Sequence, residues 1–97
     1  MDTTNKTITA SEIAETRRVI GNYYRQKKEM RERADSLRED VKKGIRKKWV
    51  VEAMIDDMYR DLSESPNREE FGKMAKKTET DSAYEAVFRT IFNEIFP

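Results

Sequence analysis

The chain has 97 residues, a net charge of +1, and neither cysteine nor histidine. A chain of this length forms one domain at most and buries only a modest fraction of its surface. Without Cys or His it has no disulfides, no thiolate or imidazole metal ligands, no cysteine nucleophile and no imidazole base, so neither an enzyme nor a cofactor is expected.

The N-terminal MDTTNKTIT carries no apolar run, so no export signal and no membrane span is expected, and a cytoplasmic location is the default. Residues 1–8 read as a flexible polar tail, with Asn5-Lys6-Thr7 a sequon that goes unused. Domain 9–97 follows. Thr9 and Glu12 form a capping box that starts a helix near Ala10. From there, positions spaced alternately three and four apart from 13 to 62 are apolar or aromatic at eleven of fifteen, Ile13, Ile20, Tyr23, Met30, Ala34, Leu37, Val41, Val51, Ile55, Met58 and Leu62, the exceptions being Thr16, Lys27, Gly44 and Lys48. That spacing is a helix seam, and no strand-like alternation appears anywhere.

Two arrangements satisfy the seam. One is a continuous helix that pairs with a second copy as a coiled coil, making a homodimer. The other is a break near Gly44, with the chain folding back as a hairpin and closing the seam on itself. A glycine in a helix interior costs about 1 kcal/mol, which favours the hairpin, yet nothing in residues 45–50 offers a Ser, Thr, Asp or Asn to cap a second helix.

Ser63-Glu64-Ser65-Pro66 stops the seam helix and starts another, with Ser65 as cap and Pro66 as its first residue, running to about Lys77. Ser82 and Glu85 predict a second capping box opening the last helix. The last helix has a wide apolar face of Tyr84, Val87, Phe88, Ile91, Phe92, Ile95 and Phe96. The stretch from Trp49 to Ile55 is apolar nearly all round and is expected at the centre of the core, with the last helix docked on it. The fold class is therefore all-α, a small helical bundle with a long charged N-terminal helix and two shorter C-terminal helices.

The near-zero net charge conceals a division. Residues 1–48 hold 14 basic and 8 acidic side chains, and residues 49–97 hold 6 and 11. Lys27, Lys28, Arg31, Arg38, Lys42 and Arg46 project as one stripe beside the seam, and Lys42, Lys43, Arg46, Lys47 and Lys48 crowd around Gly44. The stripe could be a solvated face with intrahelical pairs such as Arg25–Glu29 and Glu39–Lys43. It could also pair with Glu52, Asp56, Asp57 and Asp61, or grip phosphates.

The carboxylate pairs Glu52/Asp56 and Asp57/Asp61 lack the histidines that dimetal bundle sites use, so no metal is expected. The leading expectation is a non-enzymatic protein-binding regulator, inhibitor or adaptor. It would meet a larger protein through Tyr23, Tyr24, Arg25, Lys27, Lys28, Arg31, Arg38, Lys42 and Arg46, because interface hot spots favour Tyr and Arg. The alternative is a nucleic-acid-binding regulator that clamps phosphate with Lys42, Lys43, Arg46, Lys47 and Lys48, opposed by a sequence pI near 7.9.

Overall fold

A computed structural model describes residues 8–97 and folds them into four helices: α1 (Ala10–Lys42), α2 (Lys48–Ser63), α3 (Pro66–Lys77) and α4 (Ser82–Ile95). The small all-α bundle expected from the spacing is the observed fold, and among the described residues there is no strand. The tail expected over residues 1–8 falls, apart from Ile8, outside the described residues. So does Asn5-Lys6-Thr7.

Helix α1 begins as its capping box requires. The Glu12 N–H donates to the Thr9 hydroxyl at 3.1 Å, and the Thr9 N–H donates to the Glu12 carboxylate at 3.1 Å. Its 33 residues extend about 50 Å and form the rod on which the rest is mounted.

The rod ends at Gly44, whose φ of +76° lies in the left-handed region that glycine alone enters without strain. The Gly44 N–H donates to the Val41 carbonyl at 3.0 Å and the Ile45 N–H to the Asp40 carbonyl at 2.9 Å. This pair of bonds closes a Schellman motif and satisfies two of the carbonyls left free at the helix end. The chain then reverses, and α2 runs back along α1. The hairpin is therefore the arrangement adopted, and the continuous helix is not.

Two separate cores result. In the arm, Ala34 and Leu37 of α1 meet Val51 and Ile55 of α2, with Val41, Met54 and Met58 packed around them. In the body, the N-terminal half of α1 receives α3 and α4 through a chain of rings. Tyr23 stacks on Phe71 with centroids 4.8 Å apart, and Tyr24 meets Phe71, Phe92 and Phe96 edge to face. Val19, which lies off the seam, is also buried here, because α1 faces two partners at this level. Gln26 fastens α3 to the rod, its side-chain oxygen accepting from Asn67 at 3.1 Å. The result is a slender molecule of 68 × 24 × 18 Å.

Two expectations are corrected. Helix α4 docks on the N-terminal half of α1 and not on the Trp49–Ile55 stretch, because its aromatic face finds Tyr24 and the ring of Phe71 there. Trp49 accordingly lies outside the core, 71% exposed, while Val51 and Ile55 on the other side of the same helix are buried. The cap of α4 is Asp81, whose carboxylate accepts from the Tyr84 N–H at 3.0 Å, so Ser82 becomes the first helical residue. No described helix is long and apolar enough to cross a membrane.

A buried hydroxyl pair pins α4 to α1. Thr16 Oγ1 lies 2.8 Å from the Glu12 carbonyl and 2.8 Å from the Tyr84 hydroxyl. The carbonyl can only accept, so the Thr16 proton points there and Tyr84 donates to Thr16. Tyr84→Phe removes a donor and leaves Thr16 satisfied, at a cost of about 1 kcal/mol, whereas Thr16→Val strands a buried O–H and costs about 1–3 kcal/mol. Urea melts of the two variants are expected to rank Thr16→Val as the less stable. The reverse order would mean that the hydroxyl pair is oriented otherwise.

Candidate functional site

At the body end, the charges around the first cleft are matched. Arg17 pairs with Glu94 at 3.2 Å, Arg18 with Glu15 at 2.7 Å and with Glu70 at 3.3 Å, and Lys77 with Glu12 at 3.6 Å. Lys77 also lies over the Tyr84 ring, 4.3 Å from its centroid. These partners show in the titration of the acids. The Thr9 backbone N–H, more than any other group, holds the Glu12 carboxyl below its ordinary range, and Arg18 does the same to Glu15. The cleft here, of about 640 Å³, is lined by Glu12, Glu15, Thr16, Arg18, Lys77 and Tyr84 among others. Its cations and anions are already paired, and its Thr16 and Tyr84 hydroxyls bond each other.

Halfway along α1 the balance changes. A cleft of about 370 Å³ lies between the rod and the end of α4, lined by Gly21, Tyr24, Arg25, Lys27, Lys28, Arg31, Ile95 and Phe96. Positions 24, 27, 28 and 31 fall together because residues three and four apart share a helix face. Four cations and no carboxylate line this cleft. Arg25 donates to the Asn22 side-chain oxygen at 2.8 Å, and Lys27 sits 5.7 Å from the Tyr24 ring centroid. The pair Arg25–Glu29 does not form, Arg25 donating to Asn22 instead, and Glu39–Lys43 does not form either.

Farther out, the arm neutralises two of its cations, through Arg38–Glu52 at 3.6 Å and Arg46–Asp40 at 3.2 Å. Of the four acids on α2 that were candidates to face the stripe, only Glu52 does so. Asp57 turns instead to Arg60 of its own helix, at 2.6 Å. Among the described residues, Lys42, Lys43, Lys47 and Lys48 have no carboxylate within ion-pair distance.

The sequence-predicted residues thus form two groups. Tyr24, Arg25, Lys27, Lys28 and Arg31 share the cleft, and Lys42, Lys43, Arg46, Lys47 and Lys48 share the arm's tip; Arg38 stands between them. Tyr23 belongs to neither, being buried against Phe71. Gly21, Ile95 and Phe96 complete the cleft and were not singled out from sequence as binding residues. The breadth of the apolar face of α4 was the available signal for the last two, since so wide a face exceeds what one neighbour covers. Chemically, the cleft is suited to holding an anionic group beside an aromatic edge.

Compared with known proteins, the chain matches no family model, and neither a curated protein nor a solved structure is significantly similar to it.

Burial raises the Tyr24 phenol above its usual value of 10.0, Tyr23 adds to this, and Arg68 opposes it. A phenol whose pKa is higher folded than unfolded loses its proton first in the unfolded chain. Its contribution to stability is therefore complete below the unfolded value of about pH 10 and is lost as pH climbs from there through the raised folded value. Tyr24→Phe is expected to flatten the fall of stability above pH 10 in denaturant titrations, and an unchanged slope would show that Tyr24 does not carry it.

Proposed function

We propose that the protein is a non-enzymatic binding module, a regulator, inhibitor or adaptor, that docks the cationic flank of α1 against an acidic surface of a larger protein. One observation carries this reading: the cations that line the body-end cleft, Arg18, Lys73 and Lys77, are each ion-paired, whereas Arg25, Lys27, Lys28 and Arg31 line a cleft without a carboxylate. Exposed ion pairs contribute little to stability, so leaving these four free costs the fold almost nothing and keeps them available to a partner. Tyr24, held in place by four rings, adds a rigid aromatic edge of the kind interfaces favour.

A protein partner fits better than a nucleic-acid backbone because the free cations are not continuous. Between the cleft group and the tip group, residues 32–41 hold four carboxylates against two arginines. A phosphate backbone following the rod would cross that negative stretch, whereas a protein surface meets discrete groups.

The test uses the full chain as bait in an extract of its source cells. Arg25→Glu, Lys28→Glu and Arg31→Glu together are expected to lower capture of the bound protein by at least about tenfold, while Arg60→Glu, Lys73→Glu and Lys76→Glu, equal in charge change, leave it nearly intact. Equal losses in the two triple variants, or capture abolished by nuclease treatment, would contradict the reading.

A further inference from the structure

We propose that the tip of the hairpin arm docks on an anionic lipid surface, with Ile45 and Trp49 entering the headgroup layer and Lys42, Lys43, Lys47 and Lys48 meeting the lipid phosphates. This surface is separate from the α1 cleft and does not depend on the function assigned to it.

Residues 41–51 contain five cations and no carboxylate, and only Arg46 is paired, to Asp40. Amid these charges stand the two most exposed large apolar side chains among the described residues, Ile45 at 68% and Trp49 at 71%. Folding explains neither. Ile45 follows the left-handed glycine, where an apolar side chain commonly packs back on the last helical turn, but the position facing it is Asp40. Trp49 points away from the core that Val51 and Ile55 of the same helix enter.

The start of α2 also departs from what stability alone favours. Its cap position is Lys47, which makes no side-chain capping bond, and its first turn contains no acid. Lysines at 47 and 48 oppose the positive end of the helix dipole, where Ser or Asp would stabilise. The choice of residues there serves a charge requirement outside the fold.

Composition points to lipid over other anionic partners. Lysine outnumbers arginine four to one at the tip, and lysine is depleted at protein interfaces, while arginine is the residue suited to planar, bidentate recognition of phosphate in nucleic acids. A single aromatic side chain offers one stacking platform, fewer than a single-strand groove uses, and Ile45 has no role in such a groove. At a bilayer every part has one: Trp settles at the interface, Ile enters the acyl boundary, and flexible lysine stems carry their ammonium groups to the phosphates. With no described helix long and apolar enough to span, the contact would be peripheral.

Trp49 is the only tryptophan, so its emission reports on the tip directly. The full chain is titrated with vesicles of phosphatidylcholine alone and of phosphatidylcholine mixed with phosphatidylserine, at low and moderate salt, and co-sedimentation is measured in parallel. A blue shift and pelleting are expected with the anionic vesicles only, both weakened by salt. Lys47→Gln with Lys48→Gln should lower apparent affinity about 25-fold, at roughly fivefold per cation near the surface, while Lys73→Gln with Lys76→Gln on α3 changes it less than about threefold. Ile45→Ser, an exposed site whose variant keeps Trp49 as reporter, should reduce the blue shift. Absence of both signals with anionic vesicles at low salt would overturn the proposal. So would a shift produced by a DNA duplex or polyglutamate but not by vesicles, or equal losses in the two double variants.

Discussion

The left-handed backbone of Gly44 decides whether the apolar seam is satisfied within one chain or needs a second. A side chain at φ +76° crowds its own carbonyl, so this position separates a reversing chain from a continuing helix. Because the chain reverses, Ala34 and Leu37 find Val51 and Ile55 in the same molecule. That closure sets the length of the arm, places its five cations at the tip, and leaves the N-terminal half of α1 free to receive α3 and α4.

The supply of large apolar residues is small, and the fold divides it between two sites on one rod. The arm core is narrow and aliphatic, and the body core is a run of aromatic rings from Tyr23 to Phe96. Neither can wrap the rod completely. The uncovered flank is therefore a geometric consequence of a thin core on a long helix, and its residues are under no packing constraint. That freedom explains why cations without partners can gather at the cleft and at the tip, while those near the body seam are drawn into pairs with Glu12, Glu15, Glu70 and Glu94.

Much of this was legible in the sequence, for local reasons. The Thr9–Glu12 box and the Ser65-Pro66 restart each depend on residues within one helical turn, and both appear as read, while the Gly44 break is one of the two arrangements the sequence left open. Helical spacing alone put Lys27, Lys28 and Arg31 on one stripe, but it continued that stripe to Arg38, Lys42 and Arg46, which lie outside the cleft. What failed were inferences about which distant surfaces meet. An apolar stretch such as Trp49–Ile55 declares that something could cover it, but hydrophobicity has no direction, and the rings of α4 found better partners on α1. Tyr23 stood on the apolar seam and Tyr24 100° away from it, so the spacing already assigned Tyr23 to the core and argued against it as an anchor, and its ring is indeed buried against Phe71. At the start of α4, Asp81 and Ser82 both have capping side chains, and the geometry of the Asp81 carboxylate decided between them.

The central claim is that a single chain closes its own seam and holds a free cationic flank on an extended arm. Small-angle scattering coupled to size-exclusion chromatography tests it most directly. The account predicts one chain of 11.5 kDa with a radius of gyration near 18.2 Å, well above the roughly 13 Å of a compact domain of this length. A doubled mass with a longer rod would show the seam closed between two copies, and a single-chain mass with the compact radius would show that the arm folds against the body and covers the flank.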